Sequence, residues 1–169
     1  MISRRKLILA GISIMLPSLA TAEPRITAPE IAGPGPWFNS APLTLAQMKG
    51  RVVLVEFWTF GCYNCRNVMP YVKQWHERYA KQGLVVIGVH TPEFANEADP
   101  KRVKNFLIDH NITHPVVMDN DYSIWNRWSN RYWPAMYLQN KSGDICYRHF
   151  GEGRYQETEA YIQRLLQEN

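Results

Sequence analysis

Apolar residues run almost unbroken from Val52 to Trp58, and a second such run spans Leu84 to Val89. Short runs of this kind, rich in β-branched residues and bounded by glycine or polar turns, read as strands buried on both faces of a parallel sheet. Between them the period changes. Val68, Met69, Tyr71, Val72, Trp75 and Tyr79 recur at helical spacing, so a helix is predicted from Cys62 to about Lys81, bent after its second turn by Pro70 and ended by Gly83. Lys101 to His110 makes an amphipathic helix with Val103, Phe106 and Leu107 on one side, followed by a short strand over Pro115 to Met118 and a short helix over Asp121 to Trp128. Ala135 to Gln139 and Ile145 to Phe150, separated by Lys141-Ser142-Gly143-Asp144, predict an antiparallel hairpin. A final helix over Gln156 to Gln167 puts Tyr161, Ile162, Leu165 and Leu166 on its buried stripe. The order β-α-β, an inserted α-β-α, then β-β-α predicts an α/β domain: a central mixed β-sheet flanked by helices on both faces, with a central α/β insertion.

Ahead of the first strand the chain follows other rules. Arg4, Arg5 and Lys6 form a positive head, Leu7 to Leu19 an apolar middle, and Ala20-Thr21-Ala22 a small-residue cleavage pattern, so residues 1–22 read as a cleaved signal peptide. The apolar run falls short of the roughly twenty residues a spanning helix needs, although an uncleaved anchor stays open. Ser3-Arg4-Arg5 also resembles a twin-arginine export signal, with Leu7 where that pattern prefers Phe. Residues 23–36 hold Pro24, Pro29, Pro34, Pro36, Gly33 and Gly35 and are expected to form an extended, poorly packed lead-in. Trp37 to Leu45 then lays a short strand or irregular arm against a folded domain expected over 37–169.

A chain of 169 residues suits a single domain with a substantial core. Its net charge of +4 belongs mostly to the signal: removing residues 1–22 takes away three of nineteen basic residues and none of fifteen acidic ones, leaving +1. The remaining cations are interspersed with acids and form no run, so nucleic acid is not an expected partner. Three cysteines in an exported chain cannot all pair internally, which leaves Cys146 without a partner if Cys62 and Cys65 cycle together.

The chemistry concentrates at Cys62-Tyr63-Asn64-Cys65, on the turn from the first strand into the first long helix. Only a thiolate attacks a disulfide, and backbone N–H groups and the positive end of the dipole at a helix N-terminus favour that anion. Cys65, three residues on, shares the helical face and can close a disulfide with Cys62. Cys62 is therefore the expected attacker on protein thiols or disulfides, Cys65 the resolving thiol, and Tyr63 and Asn64 the residues that tune the pair. No cofactor beyond the dithiol is expected. Haem attachment would need His where Arg66 stands, and zinc would need a second ligand pair that the chain lacks. A structural disulfide, a non-catalytic thiol-based module binding metal or client, and a thiol peroxidase stay open. For the peroxidase, Thr59 fits a T-x-x-C pattern, but Val55 stands where that pattern has Pro.

The blocks FWTFGCYNCRNVMPYVKQWHERY, GLVVIGVHTPEF, DNDYSIWNRW, RYWPAMYL and HFGEG together resemble the thioredoxin-like redoxins of the TlpA and ResA group, and most of all the carboxy-terminal thioredoxin-like domain of DipZ-type proteins. The resemblance covers roughly Trp37 to the C-terminus and implies a thioredoxin fold and disulfide exchange outside the cytoplasm, in the periplasm or its equivalent. It implies a reductant or isomerase fed by a membrane-embedded electron donor, with cytochrome c biogenesis among the processes served. These 169 residues hold no counterpart of the multi-span domain of DipZ, so the electron source is expected to be a separate protein or absent. Three positions carry over. Pro134 matches the cis-proline of the fold, which leaves the backbone of Trp133 free to pair with a substrate strand. Glu56 matches a buried acid that relays the proton of the second cysteine. Trp58 matches a tryptophan packed beneath the site.

Other positions carry weaker signals. Cys146 is expected as small core filler within its strand. His76, His90, His110, His114 and His149 show no ligand spacing. Glu93 can approach the site from the loop after the second strand. Tyr122, Trp125 and Trp128 read as a packed helix face, or as a rim for unfolded clients.

Overall fold

The computed structural model of the protein describes residues 26–168, so the expected signal peptide over residues 1–22 lies outside the described residues. Six strands, β1 (Trp37–Phe38), β2 (Val52–Trp58), β3 (Leu84–His90), β4 (Val116–Met118), β5 (Ala135–Gln139) and β6 (Ile145–Phe150), form one sheet in the order β1-β4-β3-β2-β5-β6. β2 runs parallel to β3 and antiparallel to β5, β3 runs parallel to β4, and β1 and β6 close the two edges antiparallel to their neighbours. The four helices are α1 (Tyr63–Tyr79), α2 (Pro100–Asp109), α3 (Ser123–Arg127) and α4 (Tyr155–Gln167). This is the expected thioredoxin-like layout, with α2, β4 and α3 as the insertion. Among the described residues no helix is long and apolar enough to cross a membrane.

β2 lies at the centre, buried along its whole length. Successive side chains of a strand point to opposite faces. Val53, Val55 and Phe57 therefore join Ile87, Val89, Val117 and Tyr137 on one face, and Val52 and Leu54 join Val68, Val72, Trp75, Leu84, Ile162 and Leu165 on the other. The second face is covered by α1 and α4, and its upper end, at Trp58, Cys65, Met69, Val103, Leu107 and Met118, by the start of α1 together with α2. Alternation puts Glu56 on this α1 side, between Leu54 and Trp58.

Among the α-helices of the described residues only the five-residue α3 lies on the first face, through Ile124 and Trp125, helped by Trp128 just beyond it and by Leu45 of a 3-10 turn. That shortfall corrects the expectation of a poorly packed lead-in. Ile31 is fully buried in the same cluster as Val55, Phe57 and Ile87. The segment is fastened at several points. The Arg127 guanidinium donates to the carbonyls of Glu30 and Ala32 at 2.9 and 2.8 Å, and the Glu30 carboxylate accepts from the Ile31 and Leu45 N–H groups at 2.8 Å each. Gly35 passes so close to β4 that a Cβ there would stand 1.9 Å from the Met118 carbonyl oxygen. The sequence pattern shows a proline-rich lead-in because its buried contribution to the core is one aliphatic side chain; its hold on the domain is made by backbone carbonyls and the Glu30 carboxylate.

Helix ends also shift from expectation. α2 begins at Pro100 because Asp99 caps it, accepting from Lys101 N–H at 2.8 Å, and α1 gives way at Ala80 to a 3-10 turn that ends at Gly83 with φ 111°. Pro70 lies on the exposed side of α1 and does not end it. Truncation of a buried isoleucine costs about 2–5 kcal/mol when the site cannot collapse. Ile31→Ala is expected to lower the free energy of unfolding by an amount in that range in denaturant titration; a change below about 0.5 kcal/mol would show that the lead-in does not cover the sheet.

Candidate active site

Cys62 is the N-cap of α1, with extended backbone angles of φ −70° and ψ 120°, and its Sγ accepts the Cys65 N–H at 3.2 Å. Cys65, in the first turn, is buried against Trp58 and Met69, whereas Cys62 is half-buried. The two sulfurs thus meet opposite environments. The Cys65 thiol donates to Cys62, and this hydrogen bond, opposed by partial burial and helped by the N–H groups of Cys65 and Asn64, lowers the Cys62 thiol to about 7. Burial pushes the Cys65 thiol far up, and the hydrogen bond it gives to Cys62 pushes it further. At neutral pH the outer sulfur is substantially a thiolate and the inner one keeps its proton.

Glu56 stands on β2 in register with Gly88 of β3 and Met136 of β5, and is 4% exposed. Burial, with the Cys62 charge second, pushes its carboxyl up to about 8, and no hydrogen bond opposes that shift. Its charge is in turn felt by Cys65. A carboxyl that exchanges its proton near neutrality, electrostatically linked to both thiols, can take up the proton that Cys65 must lose before it attacks.

The Trp133–Pro134 peptide bond is cis. Trp133 is half-buried; its indole donates to the Thr91 carbonyl at 3.0 Å and its ring lies 4.2 Å from that of Trp125. It packs on the same cluster as Cys62. Trp58 is buried in that cluster with Cys65, its ring edge-on to His90 at 5.1 Å. Tyr63 and Asn64 are exposed beside the thiols. Glu93 is exposed, and its charge opposes ionisation of Cys62.

Other expectations change. Cys146 is exposed, not core filler: on the edge strand β6 only Tyr147 and His149 are buried, with Ile145 half-buried, so the apolar tendency of the strand does not make every position internal. Trp125 and Trp128 are packed edge-on against Phe57 and do not form a client rim. Among the described residues no group of three or more His, Cys, Asp or Glu side chains is placed to hold a metal ion. Thr59, the one match to a peroxidase pattern, is fully buried with its hydroxyl 3.3 Å from His90 Nε2. Two buried acids went unread in the sequence. Asp119 accepts from the Ile124 and Trp125 N–H groups at 2.9 and 2.8 Å and so starts α3. Glu97 accepts from the N–H of Gly61, next to Cys62, at 2.8 Å.

Residues 24–148 match the AhpC/TSA family. The chain is 41% identical over 143 residues to protein DipZ of Mycobacterium bovis, a stretch that is 83% of this chain and 21% of that protein, so this chain spans about a fifth of that relative. It is 31% identical over 141 residues to the thiol-disulfide oxidoreductase YkuV of Bacillus subtilis, covering 83% of this chain and 94% of that protein. Its fold is similar to the solution structure of a thioredoxin-like protein in the oxidised form, with a TM-score of 0.77 and 30% identity over 84% of this chain and 95% of that one.

In a Cys146→Ser background, alkylation of the reduced protein is expected to follow the ionisation of Cys62 with a midpoint near 7, while Cys65 reacts only on unfolding. A midpoint at about 8.5, the ordinary cysteine value, contradicts the thiolate assignment. For Glu56 the folded pKa lies above the unfolded one, so its contribution to stability is complete below about 4.5 and is lost as pH rises through about 8. Glu56→Gln, which cannot ionise, is expected to be more stable than the parent at pH 9 by on the order of 3 kcal/mol and nearly equal to it at pH 4. Equal stabilities at both pH values would mean that the carboxyl titrates normally.

Proposed function

The chain belongs to the AhpC/TSA family, and on that premise we propose that it is a thiol–disulfide oxidoreductase whose Cys62 thiolate attacks protein disulfides and whose Cys65 resolves the intermediate. The observation that carries this reading is the split between the two sulfurs, one half-exposed and lowered to about 7, the other buried and held protonated. The Cys62 thiolate attacks one sulfur of a client disulfide; a Cys62–client bond forms and the client's second sulfur leaves as a thiolate. Cys65 then passes its proton to Glu56 in its ionised form, the minority form at pH 7 for a carboxyl raised to about 8, and attacks the Cys62 sulfur, closing Cys62–Cys65 and releasing the client's remaining thiolate. The client gains two electrons and the protein loses two, so the disulfide form must be re-reduced by another thiol or electron carrier before the next turn. The dithiol carries both electrons, and the chemistry calls for no organic cofactor or metal.

The direction is that of a reductant. A low attacking pKa stabilises the reduced form, and the value of about 7 at Cys62 matches thioredoxin, at roughly 7, and not the strong oxidant DsbA, at roughly 3.5. Trp133 and Pro134, with Tyr63 and Asn64, form the client-facing surface. The signal-like pattern of residues 1–22 supports work outside the cytoplasm, and the likeness to DipZ supports a membrane-embedded electron donor and a place in extracytoplasmic maturation such as cytochrome c biogenesis.

Cys65→Ala is expected to accumulate Cys62-linked mixed disulfides with client proteins, visible as adducts that collapse on reduction, because the second step has no nucleophile. Equilibration of the parent with glutathione is expected to give a potential nearer the roughly −270 mV of thioredoxin than the roughly −120 mV of DsbA. Absence of adducts would remove the assigned roles, and a potential on the DsbA side would reverse the direction.

A further inference from the structure

The loop between β3 and α2 carries Glu93 and Phe94, both exposed, and ends its first turn at Glu97, which is 1% exposed. The Glu97 side chain turns back under the loop. Its Oε2 accepts the N–H groups of Glu93 and Phe94 at 2.7 and 3.0 Å, and its Oε1 accepts the N–H of Gly61 at 2.8 Å, across 36 positions of sequence. Two backbone segments, already joined at their base by the Thr91 N–H to Trp58 carbonyl bond at 3.1 Å, are thus joined further along by the two oxygens of one carboxylate. One segment is the peptide that leads into Cys62. No cation pairs with this buried carboxylate in the described residues, so the three N–H groups are what hold it. Gly61 fits the same account: a Cβ there would stand 2.0 Å from Glu97 Oε1, so the residue before the attacking cysteine must lack a side chain for the clamp to close.

We propose that Glu97 is a positioning residue for the redox site, clamping the Glu93–Phe94 loop to the Gly61–Cys62 peptide and so fixing the Glu93 carboxylate at the mouth of the site. The inference rests on Cys62 as the attacking thiol. The titratable groups that face Cys62 are Cys65 on α1, Glu56 on β2 and Glu93 on this loop. Of these only Glu93 sits on a segment that is exposed and fastened by hydrogen bonds to a side chain. With the clamp closed, its charge is held where it opposes the Cys62 thiolate, tempering the effect of the helix N-terminus. With the clamp open, that charge moves with the loop. Glu97→Gln opens it, because an amide nitrogen replaces one of the two accepting oxygens and cannot receive an N–H.

The test is the rate of iodoacetamide alkylation of Cys62 against pH in the Cys146→Ser background, for the parent, Glu93→Gln, Glu97→Gln and the double variant. Glu93→Gln alone is expected to raise the rate at pH 6 by about two- to threefold, the effect of one partly screened charge. Glu97→Gln is expected to raise it similarly, and the double variant no further, since each removes the same charge from the same place. A purely structural Glu97 would lower the melting temperature while leaving the profile, and the full Glu93→Gln effect on it, unchanged; that result overturns the proposal. Should Glu97→Gln fail to fold, Gly61→Ala opens the clamp from its other side and takes its place in the same comparison. A parent protein whose Cys62 does not alkylate near neutrality would fail the assignment of the attacking thiol itself, a different outcome from additive effects of the two glutamates.

Discussion

The hydrogen bond from Cys65 to Cys62 at the start of α1 is the contact on which the rest of this structure turns. The Cys62 sulfur accepts from the Cys65 backbone at 3.2 Å and from its thiol, and it does so at the end of a helix where backbone N–H groups have no partner within the helix. Charge gathers on the outer sulfur and the proton stays on the inner one. Neither residue achieves that alone. A cysteine at the same N-cap without a buried thiol behind it would lose the largest cause of its lowered pKa, and Cys65 without an exposed partner would be an inert core residue.

Holding this asymmetry in place requires the sheet to accept an unfavourable group. β2 must be apolar to sit at the centre of a six-stranded sheet, and six of its seven residues are. The seventh, Glu56, shares the α1 face with Leu54 and Trp58, and burial keeps its carboxyl protonated well above the usual carboxylate range. A leucine there would pack at no such penalty. In the proposed mechanism the carboxyl makes chemical sense: once Cys62 is tied up in a mixed disulfide, Glu56 is the ionisable group beside it whose charge the inner thiol feels. On that proposal, stability and turnover pull in opposite directions at this one position.

The thiol pair, the strand before it and the helix after it were legible in the sequence because they are local: strand period, glycine, cysteine spacing and helical period follow one another within thirty residues. Glu56 was legible too, since an acid in an otherwise apolar strand is a visible exception. Glu97 was not. Its partner lies 36 positions away, and nothing in a sequence tells which backbone a carboxylate will reach. The lead-in misled for a related reason: proline and glycine read as linker, and a single buried isoleucine leaves no period to detect. Cys146 misled because hydrophobic patterning does not distinguish a central strand from an edge one, and only pairing with β5 on one side shows which this is.

The path of the lead-in sets how the molecule faces its surroundings. Thr27 bridges to Asp144, in the turn between β5 and β6, and β5 pairs antiparallel with β2 so that Gln139 lies beside Val53, while Cys62 follows the far end of β2. The amino end of the described chain therefore leaves from the base of the sheet, separated from the reactive sulfur by the length of β2, roughly 20 Å for a strand of this size. A tether would therefore join the described domain at its base, at the end of the sheet away from the thiol, like a lamp wired through its foot.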